Sequence, residues 1–231
     1  MSHQKPKKTG LQALCLLICT LLCLSIAQHS HADEGPFFRL VLLPDKKIPM
    51  QEVELQIDGV PLSGRFTSGK VPAFIKLPPG QHEVSIHTPG QATPLKRIPL
   101  QLIPGYALTL ASNPFQNDSS LLSFLDPLPS GRRQTTLSVY HVDPTGQPID
   151  VLTDNGGRIF SNLAAGASAR QKVNPVKVEL TAARTGQILS LGELEVQLAA
   201  GRSYSLFFIP EAGRAKRLIL GEDVFPHSFR P

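Results

Sequence analysis

The stretch VNPVKVELTAARTGQ, residues 173–187, carries the pattern that decides the fold class. After Asn174 and Pro175, apolar and polar residues alternate over residues 176–180, and a Thr-Gly pair ends the run. Such alternation predicts a β-strand with one buried face. Pro175 presets the backbone angle where the strand begins, and we expect the Asn174 side chain to cap the turn before it.

Runs of this kind recur along the chain. They lie at residues 37–43, 53–57, 72–77, 82–88, 135–142, 148–153, 158–163, 176–182, 193–198 and 203–209. Between them stand turn pairs such as Asp-Gly and Pro-Gly, because glycine accepts a positive φ and proline presets the first corner of a turn. The sequence therefore predicts an all-β protein.

Segments of the first half of the chain also resemble segments of the second half. LQLIPGYALTL at residues 100–110 is similar to VQLAAGRSYSLFF at 196–208, and AFIKLPPG at 73–80 is similar to IFSNLAAG at 159–166. We predict two tandem, small, antiparallel β-sandwich-like domains, residues 33–111 and 135–231. Common ancestry of the halves and convergent use of the same turns both explain the likeness. Residues 112–134, rich in Ser, Asn, Asp and Pro, are interpreted as a linker whose apolar residues dock on a domain or form a short helix.

The first 32 residues have the features of a secretory signal peptide. Three lysines precede an apolar run of 17 residues, 11–27, and a small residue stands at Ala32. We expect cleavage there and a periplasmic protein. A membrane anchor is the competing interpretation, because 17 residues is the lower edge of a spanning length. All three cysteines lie inside this segment, so the remaining chain has no thiol for a disulfide or a metal.

Charge argues against nucleic acid as a partner. Without the three leader lysines the formal net charge falls from +5 to +2, and no dense basic stripe remains of the kind that nucleic-acid binders carry. Basic pairs such as Arg132-Arg133 fit either scattered solvating charge or a surface for an anionic partner.

The reactive residue types are scattered. His82 and His87 are an odd number of residues apart on one predicted strand, so they face opposite sides of the sheet. His141 and Asp143 share a strand face but stand alone at a strand end. We expect the histidines to be exposed or hydrogen-bonded strand residues, and we predict no catalytic residue, no metal site and no cofactor.

Three segments in order resemble the AlgF family of periplasmic alginate biosynthesis proteins. These are LSVYHVDPTGQPIDVLTDNGG at 137–157, LAAGASARQKVNPVKVEL at 163–180 and GELEVQLAAGRSYSLFF at 192–208, with NPVKV at 174–178 the most specific piece. LPPGQHEV at 77–84 and IPGYALTL at 103–110 extend the likeness more loosely. The resemblance implies two β domains, and relatives in cellulose acetylation widen the choice of polymer.

The resemblance also implies a role. It is that of a non-catalytic accessory protein required for O-acetylation of an exopolysaccharide, alginate or cellulose. The implied partners are a periplasmic SGNH-type acetyltransferase and membrane-bound acyl transferase components, with the polysaccharide itself a further candidate. The predicted partner surface comprises Asn174, Pro175, Lys177, Arg132 and Arg133. The alternative is a polysaccharide-binding or adhesin-like β module that acts directly on the glycan.

Overall fold

The computed structural model describes residues 35–44, 51–112, 121–128, 135–143, 146–209 and 217–226. Every regular element in these ranges is a β-strand, which confirms the predicted all-β class. A helix long and apolar enough to cross a membrane is not found in this part of the chain. The predicted signal peptide lies outside the described residues.

The first half of the chain forms two sheets. Its strands are β1 (Phe37–Leu42), β2 (Glu52–Ile57), β3 (Val60–Pro61), β4 (Phe66–Thr67), β5 (Ile75–Lys76), β6 (Gly80–His87), β7 (Pro94–Leu102), β8 (Tyr106–Ser112) and β9 (Leu122–Pro127). One sheet has the order β5-β1-β8-β9, and the other has the order β3-β2-β6-β7, with β4 also paired to β2.

The second half repeats this plan. Its strands are β10 (Thr135–His141), β11 (Ile149–Thr153), β12 (Arg158–Leu163), β13 (Ser168–Val173), β14 (Val176–Arg184), β15 (Ser190–Leu198), β16 (Ser203–Ile209) and β17 (Arg217–Glu222). The sheet orders are β13-β10-β16-β17 and β12-β11-β14-β15. Strand by strand, β1, β2, β5, β6, β7, β8 and β9 correspond to β10, β11, β13, β14, β15, β16 and β17.

This correspondence of strands shows which of the two pairs of similar segments lies at equivalent positions in the fold. The pair at 100–110 and 196–208 lies on equivalent hairpins, β7–β8 and β15–β16. The pair at 73–80 and 159–166 does not, because the first segment contains β5 and the second contains β12. The second likeness therefore reflects shared turn residues and not equivalent position.

Each half contains one parallel strand pair among its antiparallel pairs. Strand β1 runs parallel to β8, and β10 runs parallel to β16. The first strand and the second-to-last strand of each half thus meet in the middle of a sheet. Alternation alone does not distinguish parallel from antiparallel partners, so the sequence pattern could not predict this.

The segment interpreted as a linker is in part a strand. Within residues 112–134, Ser112 ends β8 and Leu122–Pro127 form β9, which pairs antiparallel with β8. The expectation that its apolar residues dock on a domain is correct, and the helical alternative is wrong. Phe124 is buried because it faces the second half of the molecule.

Strands β13 and β17 and the two-residue strands β3 and β4 were also not predicted, and one predicted strand is shorter than expected. Strand β13, SARQKV, and strand β17, RLILGE, lack clean apolar alternation. Of the run at 72–77 only Ile75–Lys76 is a strand, because the residues before it leave the sheet edge and reach towards β17. Tertiary packing decides strand length in these places.

Each half has its own sandwich core. Phe38, Leu40 and Leu42 of β1 pack against Val53 and Leu55 of the facing sheet. Leu137 and Val139 of β10 occupy the same role in the second half. These side chains are almost wholly buried, so each core contributes the hydrophobic burial that a thiol-free fold depends on.

A third apolar cluster joins the halves. Val41 and Ala111 from the first half meet Tyr140 and Phe207 from the second. The sheet β5-β1-β8-β9 therefore contacts the sheet β13-β10-β16-β17 through its outer face, and both faces of β1 are buried. The contact is close, since a Cβ added at Gly221 of β17 would lie 2.4 Å from Val71 Cβ.

Candidate functional site

The predicted partner residues lie where the chain crosses between the sheets of the second half. Asn174 and Pro175 are the two exposed residues between β13 and β14. The expectation that Asn174 caps a turn is wrong, because strand β13 continues to Val173 and leaves no turn to cap. Pro175 directly precedes β14, as expected for a residue that fixes a strand entry.

Lys177 lies on the outer face of the sheet that contains β14. Its Nζ is 2.9 Å from Glu195 Oε1 of the neighbouring strand, and both side chains are exposed. Glu179 and Glu193 share this outer face, since they are spaced by two along β14 and β15 from the ion pair. The face is polar, with more carboxylates than ammonium groups. Arg132 and Arg133 lie outside the described residues, so their prediction stays a prediction.

A buried polar cluster that sequence reasoning missed lies between the two halves. At its centre is Arg39 of β1, whose exposed fraction is 0%. Its guanidinium donates to Asp223 Oδ1 at 2.7 Å, to Ser205 Oγ at 2.6 Å and to Thr109 Oγ1 at 2.9 Å. It also lies 4.1 Å from the centre of the Phe74 ring, within cation–π range. All its donors therefore stay within the protein.

The cluster continues through Tyr140. Its hydroxyl donates to Asp126 Oδ2 at 2.6 Å, and Arg39 Nη2 approaches the same hydroxyl at 3.5 Å. Burial raises the pKa of Tyr140 to about 12, the Arg39 charge opposes the rise, and the carboxylates of Asp126 and Asp223 add to it. Arg170 lies 3.9 Å from Asp126 and also donates to the Pro127 carbonyl.

The internal repeat explains the composition of this cluster. Asp126 is paired with Ala107 in one half, and Asp223 donates its N–H to the Ser203 carbonyl in the other. Ala107 and Ser203 are equivalent in the aligned hairpins. The same alignment makes Thr109 and Ser205 equivalent, and both bind the Arg39 guanidinium. Two repeated positions thus supply two hydroxyls and two carboxylates to one interface. An arginine within the apolar run FFRLVL is the sequence signal that could have found it.

Two of the histidines form separate local contacts. His82 Nδ1 is 2.6 Å from Asp58 Oδ2, and its Nε2 is 2.9 Å from the Pro78 carbonyl. The hydrogen bond with Asp58 raises the pKa of His82, and the same bond lowers the pKa of Asp58. His87 is buried on the same strand and its Nδ1 is 3.2 Å from the Gln91 carbonyl. His82 and His87 are thus hydrogen-bonded strand residues, which agrees with the expectation of exposed or hydrogen-bonded histidines.

His141 and Asp143 are also buried, and His141 is hydrogen-bonded, as one of the two expected alternatives for the histidines. His141 Nδ1 is 3.2 Å from the Leu163 carbonyl. A Cβ at Gly146 would lie 2.7 Å from Asp143 Oδ2 and 2.9 Å from His141 Nε2. The His141 imidazole and the Asp143 carboxylate thus both lie next to Gly146 in the β10–β11 connection. Only a glycine fits at this position. Their packing fixes this connection against the end of β12.

Asp150 lies at the start of β11, beside the end of β12. It accepts hydrogen bonds from the Asn162 N–H at 2.8 Å and from the Gly186 N–H at 3.2 Å, and Arg158 Nε lies 3.1 Å away. Burial alone would raise the pKa of Asp150, but these hydrogen bonds and the arginine lower it overall. The carboxylate therefore acts as an ionised anchor for the β14–β15 turn.

A shallow groove marks the edge of the first half. It is lined by Leu62, Phe66, Phe74, Ile75 and Lys76, and it continues into a second depression beside Arg65 and Lys70. None of the described residues that line the two parts is acidic, although Arg65 forms an ion pair with Glu52 at 3.0 Å. Over the described ranges, no group of three or more His, Cys, Asp or Glu side chains could hold a metal ion.

Comparison with known proteins gives little beyond the fold. No family model matches the chain, and no curated protein matches it. Among solved structures it is similar to the Bacillus anthracis TIE protein, at 13% identity and a TM-score of 0.25. The aligned part covers 78% of this chain and 33% of that one, so the chain spans about a third of the length of that protein.

Two groups of polar side chains differ in their access to solvent. The polar groups around Arg39 are buried and bonded to each other. By contrast, the outer face that carries Lys177 and Glu195 is open to solvent. Contact with another macromolecule at that face needs no rearrangement of the core.

Proposed function

We propose that this protein is a non-catalytic accessory protein for O-acetylation of an exopolysaccharide, alginate or cellulose. It works in the periplasm by holding acetyltransferase components, a periplasmic SGNH-type enzyme and a membrane-bound acyl transferase, in place. The observation that carries the proposal is the position of NPVKV. This most family-like piece of the sequence lies on the surface, with Asn174, Pro175 and Lys177 exposed.

A surface position separates two explanations of the motif. Residues that serve folding alone tend to be buried or hydrogen-bonded, whereas exposed residues in a connection are available to a partner. Pro175 also fixes the chain where it crosses between sheets, which presents Lys177 at a defined place on β14. The motif thus combines a structural role for Pro175 with a contact role for its neighbours.

The first experiment is deletion of the gene, with the acetyl content and yield of the secreted polysaccharide as readouts. Loss of acetyl groups at normal yield supports the accessory role. Normal acetylation with altered retention or export of the polymer contradicts it.

Point variants then test the surface. Lys177→Trp places a bulky side chain on this face and should lower both acetylation and capture of the purified acetyltransferase. Lys172→Trp is the matched control, because Lys172 is exposed on β13 in the other sheet. Equal loss in both variants, or in neither, at unchanged melting temperature argues against this face.

Direct glycan binding is the second candidate, and the groove near Phe66 favours it. The charged residues that line it are Arg65, Lys70 and Lys76, which suits a polyanionic chain. Affinity for free polymer that falls as salt rises, and that Lys70→Glu abolishes, would support this candidate. An adaptor that contacts only proteins shows no such affinity.

A further inference from the structure

Strand β15 is the edge strand of its sheet, and β17 of the facing sheet lies close to it. Among the described residues only β14 pairs with it. The Glu179 carbonyl of β14 accepts the Asp154 N–H at 3.1 Å, so the backbone of Glu179 points away from β15. Its cross-strand neighbour Glu195 therefore turns its own N–H and C=O away from β14, towards the edge. By the two-residue period, Glu193 and Gln197 do the same.

The equivalent edge in the first half is closed to pairing. Strand β7 contains Pro94 and Pro99, which have no N–H. Prolines and basic side chains on an edge strand prevent it from pairing with another chain. The hairpin alignment places Pro99 at the position of Glu195, and Arg97 at that of Glu193. The protein thus has two equivalent edges, of which only the one at β15 keeps all its donors.

The charged side chains beside this edge determine which kind of strand can pair with β15. Glu193 and Glu195 project from the outer face of β15, and Glu179 lies beside them. A second copy paired antiparallel here would bring Glu193 and Glu195 of both chains within about 5 Å of each other, which is destabilising. A strand with lysine or arginine at alternate positions would meet these carboxylates instead. Its remaining side chains would extend the apolar face that Leu194 and Val196 begin.

We infer that β15 accepts an extended segment of a partner protein by strand addition, with basic residues alternating along the exposed face of that segment. The inference names the chemistry of the partner in the proposed adaptor role and rests on that role only for its biological setting. Backbone hydrogen bonds provide the binding affinity, and the carboxylates of Glu193 and Glu195 favour a segment with basic side chains.

The test uses the purified protein and a synthetic probe. A nine-residue peptide of alternating lysine and valine, blocked at both ends, is titrated while backbone amide signals are followed by NMR. We expect the largest shifts at Glu193, Glu195 and Gln197. A peptide of alternating glutamate and valine should not bind. A lysine-valine peptide methylated at alternate backbone nitrogens should lose at least about tenfold in affinity, since hydrogen bonds are removed at constant charge.

Two variants complete the test. Glu195→Pro removes one outward N–H without breaking the pairing with β14, and the protein tolerates proline at the equivalent Pro99. Glu195→Thr removes the same charge but keeps the N–H. The proline variant should bind the lysine-valine peptide about tenfold more weakly than the threonine variant. If the proline variant fails to fold, the binding of methylated and unmethylated peptides to the unaltered protein still tests the inference.

Four results overturn the inference. They are equal binding of the methylated and unmethylated peptides, equal binding of the glutamate peptide, no binding by the lysine peptide, and self-association that Glu195→Pro abolishes. Loss of acetylation in the deletion strain addresses the proposed function separately. Either result can fail while the other stands.

Discussion

Replacement of Arg39 by methionine tests the role of the buried cluster between the halves. Methionine keeps most of the side-chain volume and the contact with Phe74, but it removes the charge. Asp223, whose side chain is 3% exposed, then keeps only the Ser205 hydroxyl at 2.7 Å as a partner. Removal of one member of a buried ion pair costs about 3–5 kcal/mol, because the remaining charge stays desolvated.

That cost is measurable by urea and thermal unfolding. For a chain of this size, 1 kcal/mol shifts the midpoint by about 2–4 °C, so Arg39→Met should melt about 6–20 °C lower. Arg97→Met is the matched control. Its guanidinium is 2.9 Å from Glu83 but 62% exposed, and an exposed pair contributes about 0–1 kcal/mol.

The double variant Arg39→Met with Asp223→Leu decides whether the pair is responsible. Apolar replacement of both members of a buried pair is often close to neutral, so the double variant should recover most of the stability that either single change loses. Destabilisation of less than about 1 kcal/mol by Arg39→Met, or additive losses in the double variant, would refute this account of the interface.

Three further predictions address the packing, the charge and the backbone of other sites. Gly221→Ala should push β17 away from Val71 and lower the unfolding free energy, and Val71→Gly, which removes the Cβ at 2.4 Å, should restore part of it; a melting series on the two single variants and the double variant measures this. NMR titration should place the pKa of His82 above 6.5, and Asp58→Asn should lower it. Because this pKa is raised on folding, the contribution of His82 to stability is complete below pH 6.5 and is lost as pH rises through the folded value, which unfolding at several pH values will show. Asn162, with φ of 53°, should accept glycine with little change, whereas Asn162→Ala should cost about 1 kcal/mol in urea unfolding.

The sequence predicted the strands whose burial is one-sided. Val53, Leu55 and Ile57 alternate with polar residues in β2, and each faces the core as expected. The pattern failed where a strand is supported mainly by its neighbours. Strand β13 is an example, because its residues pair with β10 over six positions without an apolar period of their own.

The site residues were harder to predict, for a physical reason. Exposed residues such as Asn174 and Lys177 can be singled out by a motif, but a buried cluster depends on partners far apart in sequence. Arg39 and Asp223 are 184 positions apart. A single arginine inside FFRLVL indicates a buried charge, yet nothing local identifies the carboxylate that neutralises it. The carboxylate that neutralises Arg39 is identified only by the fold, which brings β1 next to β16 and β17.

The parallel pairs bear on the order in which the chain can fold. Strand β1 cannot complete its sheet until β8 has been synthesised, and β10 must wait for β16. The long chain segments between these partner strands slow folding, because the entropy of loop closure is lost before the strands gain any contact. Arg39 gains its carboxylate partner last, since Asp223 directly follows the end of β17 in the chain. A ribosome that has released only the first half leaves this arginine in water, so the two sandwiches become mutually dependent only at the last step of folding.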